Sequence, residues 1–76
     1  MPKQVKARAA QDEKEERMVR ELAHSPHAPA ESVNYARMVV ESWAGKTPQE
    51  IATPLSCHRR TVRIHLNRFN AEGMNG

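Results

Sequence analysis

The stretch Thr47–Phe69, TPQEIATPLSCHRRTVRIHLNRF, decides how this chain folds. It opens on Thr47-Pro48-Gln49-Glu50, in which Thr47 is suited to cap a helix, Pro48 to occupy its first position and Glu50 to reach back to the cap amide. The helix predicted from this start runs from about Pro48 to Leu55 and turns Ile51, Ala52 and Leu55 inward. Pro54 lacks the N–H that a helix interior needs, a loss of about 3 kcal/mol, so this helix is expected to kink or to end early. A second pattern opens around His58. Val62, Leu66 and Phe69 recur at spacings of four and three, with His65 at the edge of the same face, and predict a helix from about His58 to Asn70. Arg59, Arg60, Arg63 and Asn67 fall largely opposite that face. Two helices joined by a few residues, the second basic on its outer side, make the geometry that inserts a helix into the major groove.

Upstream, residues 31–45 (ESVNYARMVVESWAG) place Val33, Ala36, Val40 and Trp43 at spacings of three and four, the signature of a buried helix face with Trp43 as a core anchor. Gly45 is suited to the left-handed conformation that closes a helix. Residues 25–30 form a linker, because Pro26 and Pro29 interrupt any helix there. Residues 12–24 predict a charged leading helix from about Asp12 to Ala23, with Met18 and Leu22 on one face and Val19 beside them. So short a stripe predicts weak docking, either onto the following unit through Met18 and Leu22 or against a second copy of the chain. Residues 1–11 are basic and have little to bury, which predicts a flexible arm.

Composition narrows the function classes. At 76 residues the chain forms one domain at most, and with aromatics at 4% its core depends on aliphatic side chains, which short helices bury well. A single cysteine excludes an internal disulfide, and Cys57 is expected to pack in the turn. No Cys/His spacing suits a metal; His24 and His27 flank prolines without a Cys partner. No cofactor, metal or small-molecule ligand is expected. The sequence has neither the apolar run of about 20 residues that spans a membrane nor the apolar stretch of a secretory signal, so a cytoplasmic, nucleoid-associated location is expected.

From Tyr35 to Gly76 the chain resembles the N-terminal helix-turn-helix of bacterial insertion-sequence transposases related to the Tc1/mariner superfamily. The residues that carry the likeness are Arg37-x-Val39, the Ala44-Gly45-Lys46-Thr47 turn, Glu50-Ile51-Ala52-x-x-Leu55, Arg59-x-Thr61-Val62-Arg63 and Arg68-Phe69-x-x-x-Gly73. The leading charged helix and the linker also resemble that family's beginning. Against the family pattern, Ser56 stands where the turn usually has glycine, His58 where a serine cap is usual, and His65 where tryptophan is frequent. The resemblance implies recognition of transposon end repeats, with a metal-holding catalytic domain following in longer relatives.

The fold expected is therefore all-α: a three-helix helix-turn-helix (homeodomain-like) unit over residues 31–76, preceded by the charged helix. Double-stranded DNA is the expected partner, with a homodimer possible. Arg59, Arg60, Arg63 and Asn67 are the candidates for base contact, since arginine is the best bidentate reader of guanine. Lys46, Thr47, His58 and Arg68 are the candidates for the DNA backbone. No catalysis is expected, because Asp12, Glu13, Glu15 and Glu16 lie in a solvated run. Two alternatives stand beside this reading: a free-standing transcriptional regulator, and a module that docks another protein through its helix stripes.

Overall fold

The computed structural model describes residues 5–73, which form four helices: α1 (Glu13–Ala23), α2 (Ala30–Trp43), α3 (Pro48–Ala52) and α4 (Arg59–Glu72). The fold is all-α as expected, with α2, α3 and α4 forming the three-helix unit and α1 preceding it. Residues 1–4 of the expected arm and residues 74–76 of the expected unit lie outside the described residues.

Each helix begins and ends for a local reason. Asp12 caps α1 by accepting from the Glu15 N–H at 2.8 Å, and three glutamates in the first turn complement the helix dipole. α2 is closed just beyond its last residue by Gly45, which adopts φ +95° while its N–H donates to the Ser42 carbonyl and the Lys46 N–H donates to the Glu41 carbonyl. That pair of bonds around a left-handed residue is a Schellman closure. The capping box of α3 is complete: Thr47 Oγ1 accepts from the Glu50 N–H, and Glu50 Oε1 accepts from the Thr47 N–H. α3 then stops at Ala52 instead of continuing to Leu55, as Pro54 foreshadowed.

The core gathers Val19 and Ala23 from α1, Ala36, Met38 and Val39 from α2, Ile51 and Ala52 from α3, and Val62, Leu66 and Phe69 from α4. The expected row on α4 is thus buried in full. On α2 the buried face is displaced: Ala36 is joined by Met38, Val39 and Ser42, while Val33, Val40 and Trp43 are only half-buried. The cause is that α2 packs against α1, α3 and α4 at once, so a face chosen by a single stripe cannot describe it. A similar correction applies to α1. Its central buried residues are Val19 and Ala23, four apart, with Met18 and Leu22 on the margins, and its packing against α2 is extensive where weak docking was expected.

Residues 5–10, expected as part of a flexible arm, form a strap without regular secondary structure that is tied to α2 and α4. The Ala7 N–H donates to Ser42 Oγ at 2.8 Å, and Trp43 Nε1 donates to the Arg8 carbonyl at 2.7 Å. Asn70 uses both ends of its amide, accepting from the Arg8 N–H at 2.7 Å and donating to the Lys6 carbonyl at 2.8 Å. The Arg8 guanidinium donates to both carboxylate oxygens of Glu15, at 2.8 and 3.1 Å, and stacks 4.5 Å from the centre of the Phe69 ring. These bonds also explain how Ser42 is buried at 6% exposure: its hydroxyl is satisfied by the strap.

Candidate nucleic-acid interface

The turn between α3 and α4 aims the second helix. Beyond Ala52 the chain makes one more tight turn, in which the Ser56 N–H donates to the Thr53 carbonyl and the Cys57 N–H donates to the Ala52 carbonyl. Ser56 takes φ +54° to achieve this, a conformation that disfavours any residue with a Cβ. Ser56 thus bears a Cβ at the position where the family turn usually has glycine. Cys57 lies half-buried against the core.

His58 is the N-cap of α4. Its Nδ1 accepts from the Arg60 N–H at 3.0 Å, which leaves Nε2 as the ring nitrogen that can donate to a partner. From this cap α4 runs fourteen residues to Glu72. His65 packs at the seam as expected, half-buried, with Nδ1 2.8 Å from the Thr61 carbonyl and its ring edge-on to Tyr35 at 5.3 Å. Burial raises the Tyr35 hydroxyl above its ordinary pKa, and that hydroxyl has no hydrogen-bond partner among the described residues.

The four candidates for base contact, Arg59, Arg60, Arg63 and Asn67, are all exposed on α4. At 3.6 residues per turn, Arg60 and Asn67 lie nearly opposite the row Val62, Leu66, Phe69. Arg63 sits on the shoulder, and Arg59 lies nearer the packed edge on the same side. Among the described residues no carboxylate comes within 4.0 Å of the guanidinium of Arg59, Arg60 or Arg63. A cluster of unneutralised cations on one side of one helix creates a strong local field for a polyanion.

The four candidates for the backbone are less uniform. His58 borders this cluster at the start of α4, whereas Arg68 lies on its far shoulder, paired with Glu72 at 3.4 Å. Lys46 is ion-paired with Glu41. Thr47 has committed its N–H and its Oγ1 acceptor to Glu50. The hydrogen bonds from Thr47 hold the Glu50 carboxyl below the usual carboxylate range, so a negative charge stands beside Lys46 and Thr47. One further residue of α4 belongs to neither sequence pattern. Ile64, two positions from Val62 and off its row, is exposed on the same side as Arg60 and Asn67; the signal for it was an apolar residue out of phase with the buried spacing.

No group of three or more His, Cys, Asp or Glu side chains suited to a metal occurs among the described residues, and none of their helices is long and apolar enough to cross a membrane. Residues 36–76, more than half of the chain, match the family model of a homeodomain-like domain. No curated protein and no solved structure matches the chain.

Proposed function

Because the chain belongs to the homeodomain-like domain family, a helix-turn-helix class of DNA-binding domain, we propose that α4 lies in the major groove of double-stranded DNA and reads base sequence there. One observation carries the proposal: the second helix of the helix-turn-helix presents Arg59, Arg60 and Arg63 to solvent with no carboxylate partner among the described residues. The groove is about 12 Å wide and admits a single helix, and guanine offers O6 and N7 to a guanidinium in a bidentate pair. Arg60 and Arg63 take that role, Asn67 reads adenine, and Arg59 reaches the groove edge.

Phosphates supply the rest of the affinity. His58 donates from Nε2 at the α4 N-terminus, and Thr47 has its hydroxyl proton to give. Lys46 and Arg68 exchange Glu41 and Glu72 for phosphate oxygens, a substitution of one anion for another. The resemblance to insertion-sequence transposases supports the terminal repeats of a mobile element as the target. The activity proposed for the residues present is binding without catalysis.

The test is selection of bound duplexes from a random pool at about 50 and 200 mM salt, a range over which phosphate-driven binding weakens steeply. An enriched motif is expected. Direct repeats or a single asymmetric motif fit an end-binding module, and a palindrome with half-sites one helical turn apart fits a dimeric regulator. Retention without enrichment at either salt would overturn base reading.

A further inference from the structure

We infer that a cleft on the flank of α4 binds a small, uncharged aromatic molecule that carries an N–H or O–H donor; this goes beyond the DNA reading and does not depend on it. Where no small-molecule ligand was expected, the fold builds a cleft of about 520 Å³ between α1, α2, the α3–α4 turn and α4. That volume lies within the roughly 300 to 1,000 Å³ of sites that hold small ligands. Tyr35, Met38, Leu55 and Cys57 supply apolar lining, and α4 contributes Thr61, His65 and Arg68. By helical spacing these three share the flank of α4 that faces away from Arg59 and Arg63, so a guest here leaves the arginine face free.

The lining groups define the guest. His65 Nδ1 lies 2.8 Å from the Thr61 carbonyl, and a carbonyl only accepts, so Nδ1 bears the hydrogen of that bond. Nε2 is then the acceptor of the neutral ring. It is open to solvent, and no hydrogen bond engages it among the described residues. A donor on the guest satisfies it. The Tyr35 hydroxyl is itself enclosed, so Tyr35 offers the guest its ring. That ring and His65 meet edge-on, with centroids 5.3 Å apart and planes at 68°. An aromatic guest can stack offset on one ring while meeting the edge of the other, the two arrangements that aromatic pairs prefer. Met38 adds a thioether, which packs favourably against aromatic rings. The charges that border the cleft do not select an ion: Glu31 is one anion, and Arg68 is one cation already paired with Glu72 at 3.4 Å.

The experiment titrates the full chain with indole and, separately, with 1-methylindole, which keeps the rings and lacks the N–H donor. Binding is followed by the backbone amide signals in NMR spectra. Indole is expected to give saturable shifts gathered around Tyr35, Cys57 and His65, and 1-methylindole to bind about five-fold more weakly, the equivalent of one hydrogen bond. His65→Phe keeps a ring beside Tyr35 and removes Nε2, so it is expected to bind the two probes equally. Alkylation of Cys57 by iodoacetamide supplies a second readout on the wild-type chain, and indole is expected to slow it in proportion to the fraction bound. Shifts that grow without saturation to the solubility limit of indole, or that gather on the strap or the arginine face, overturn the site. Equal affinity of the wild-type chain for both probes overturns the donor bond that defines the guest, as does an undiminished preference for indole in His65→Phe. Should His65→Phe fail to fold, the ratio of the two affinities in the wild-type chain and the protection of Cys57 decide the matter. None of these outcomes bears on base reading by α4, which duplex selection tests alone.

Discussion

Two sets of cations in this domain contrast in their surroundings. Arg8, Arg20, Lys46 and Arg68 each have a carboxylate within 4.0 Å, while Arg59, Arg60 and Arg63 have none among the described residues. The asparagines of α4 divide the same way: Asn70 uses both ends of its amide on the strap, and no bond engages the side chain of Asn67 among the described residues. Pairing alone does not measure stability, since exposed ion pairs contribute about 0 to 1 kcal/mol. What separates the sets is location. Arg8 and Asn70, which hold the N-terminal strap to the helices, find their partners within the chain, whereas Arg59, Arg60, Arg63 and Asn67, exposed on α4, have none among the described residues.

The largest contrast is expected between Arg8 and Arg63. Arg8→Ala removes a bidentate pair with Glu15 and the cover over Phe69, at about 2 kcal/mol, or roughly 10 °C in Tm for a domain of this size. Base preference of the folded protein, measured at low temperature, is expected to stay unchanged. Arg63→Ala is expected to do the reverse, moving stability by less than about 0.5 kcal/mol and costing about 1 to 3 kcal/mol of binding at one base position. Thermal melts and a single-substitution binding panel decide it. A large Tm loss in Arg63→Ala, or altered base preference in Arg8→Ala, would break the division.

Acid sharpens the same contrast. The Glu15 carboxyl is held below the usual carboxylate range, first by the hydrogen bonds from Arg8 and then by the Gln11 N–H. A lowered value in the folded state means that the unfolded chain takes up the proton first. The stabilisation is therefore complete above the ordinary carboxylate value and is lost as the pH falls through it toward the folded-state value. Tm is expected to decline as the pH falls below the ordinary carboxylate range. Glu15→Gln is expected to lower Tm at neutral pH and to flatten that decline; an unchanged acid slope would show that the strap is not held through this pair. Glu50, shifted in the same direction by the Thr47 amide, preserves the remainder of the slope.

A smaller effect separates the two asparagines. Asn70→Ala removes two exposed hydrogen bonds to the strap and is expected to cost about 1 kcal/mol. Asn67→Ala is expected to leave Tm in place and weaken selection for one adenine. Equal melting losses in both variants would show that exposure on α4 does not distinguish the fold from the interface.

How much of this was legible in the sequence follows from the range of each interaction. The α3 capping box, the Gly45 closure, the early end at Pro54 and the α4 row of Val62, Leu66 and Phe69 are encoded within a few residues of one another, and periodicity or cap chemistry reveals them. The strap is encoded by partners far apart, with Arg8 meeting Asn70 and Ala7 meeting Ser42, and such pairings leave no local period to read. The basic residues at the start were read as an arm for that reason, and α1 as a weakly docked helix. The burial of α2 was misread in detail because three helices share its surface. On the interface side, the arginines were visible as a face, whereas the engagement of Lys46 and Thr47 with glutamates depends on rotamers that spacing does not specify.

Two helix ends in this domain close with the same hydrogen bonds and different residues. At Gly45 the bonds run from Gly45 to Ser42 and from Lys46 to Glu41; at Ser56 they run from Ser56 to Thr53 and from Cys57 to Ala52. Both central residues have positive φ, +95° and +54°. Glycine bears no Cβ cost there, and serine bears one of about 1 to 2 kcal/mol. Ser56→Gly relieves that cost but gains freedom in the unfolded chain, which offsets part of it. The net expectation is a stabilisation of roughly 0.5 to 1 kcal/mol, or about 3 to 6 °C, with DNA affinity unchanged because the turn already has the shape glycine prefers. A lower Tm would mean that the turn in solution does not hold residue 56 in the left-handed region. A higher Tm with weaker DNA binding would mean that the serine hydroxyl itself contacts the duplex, extending the interface from α4 into the turn that aims it.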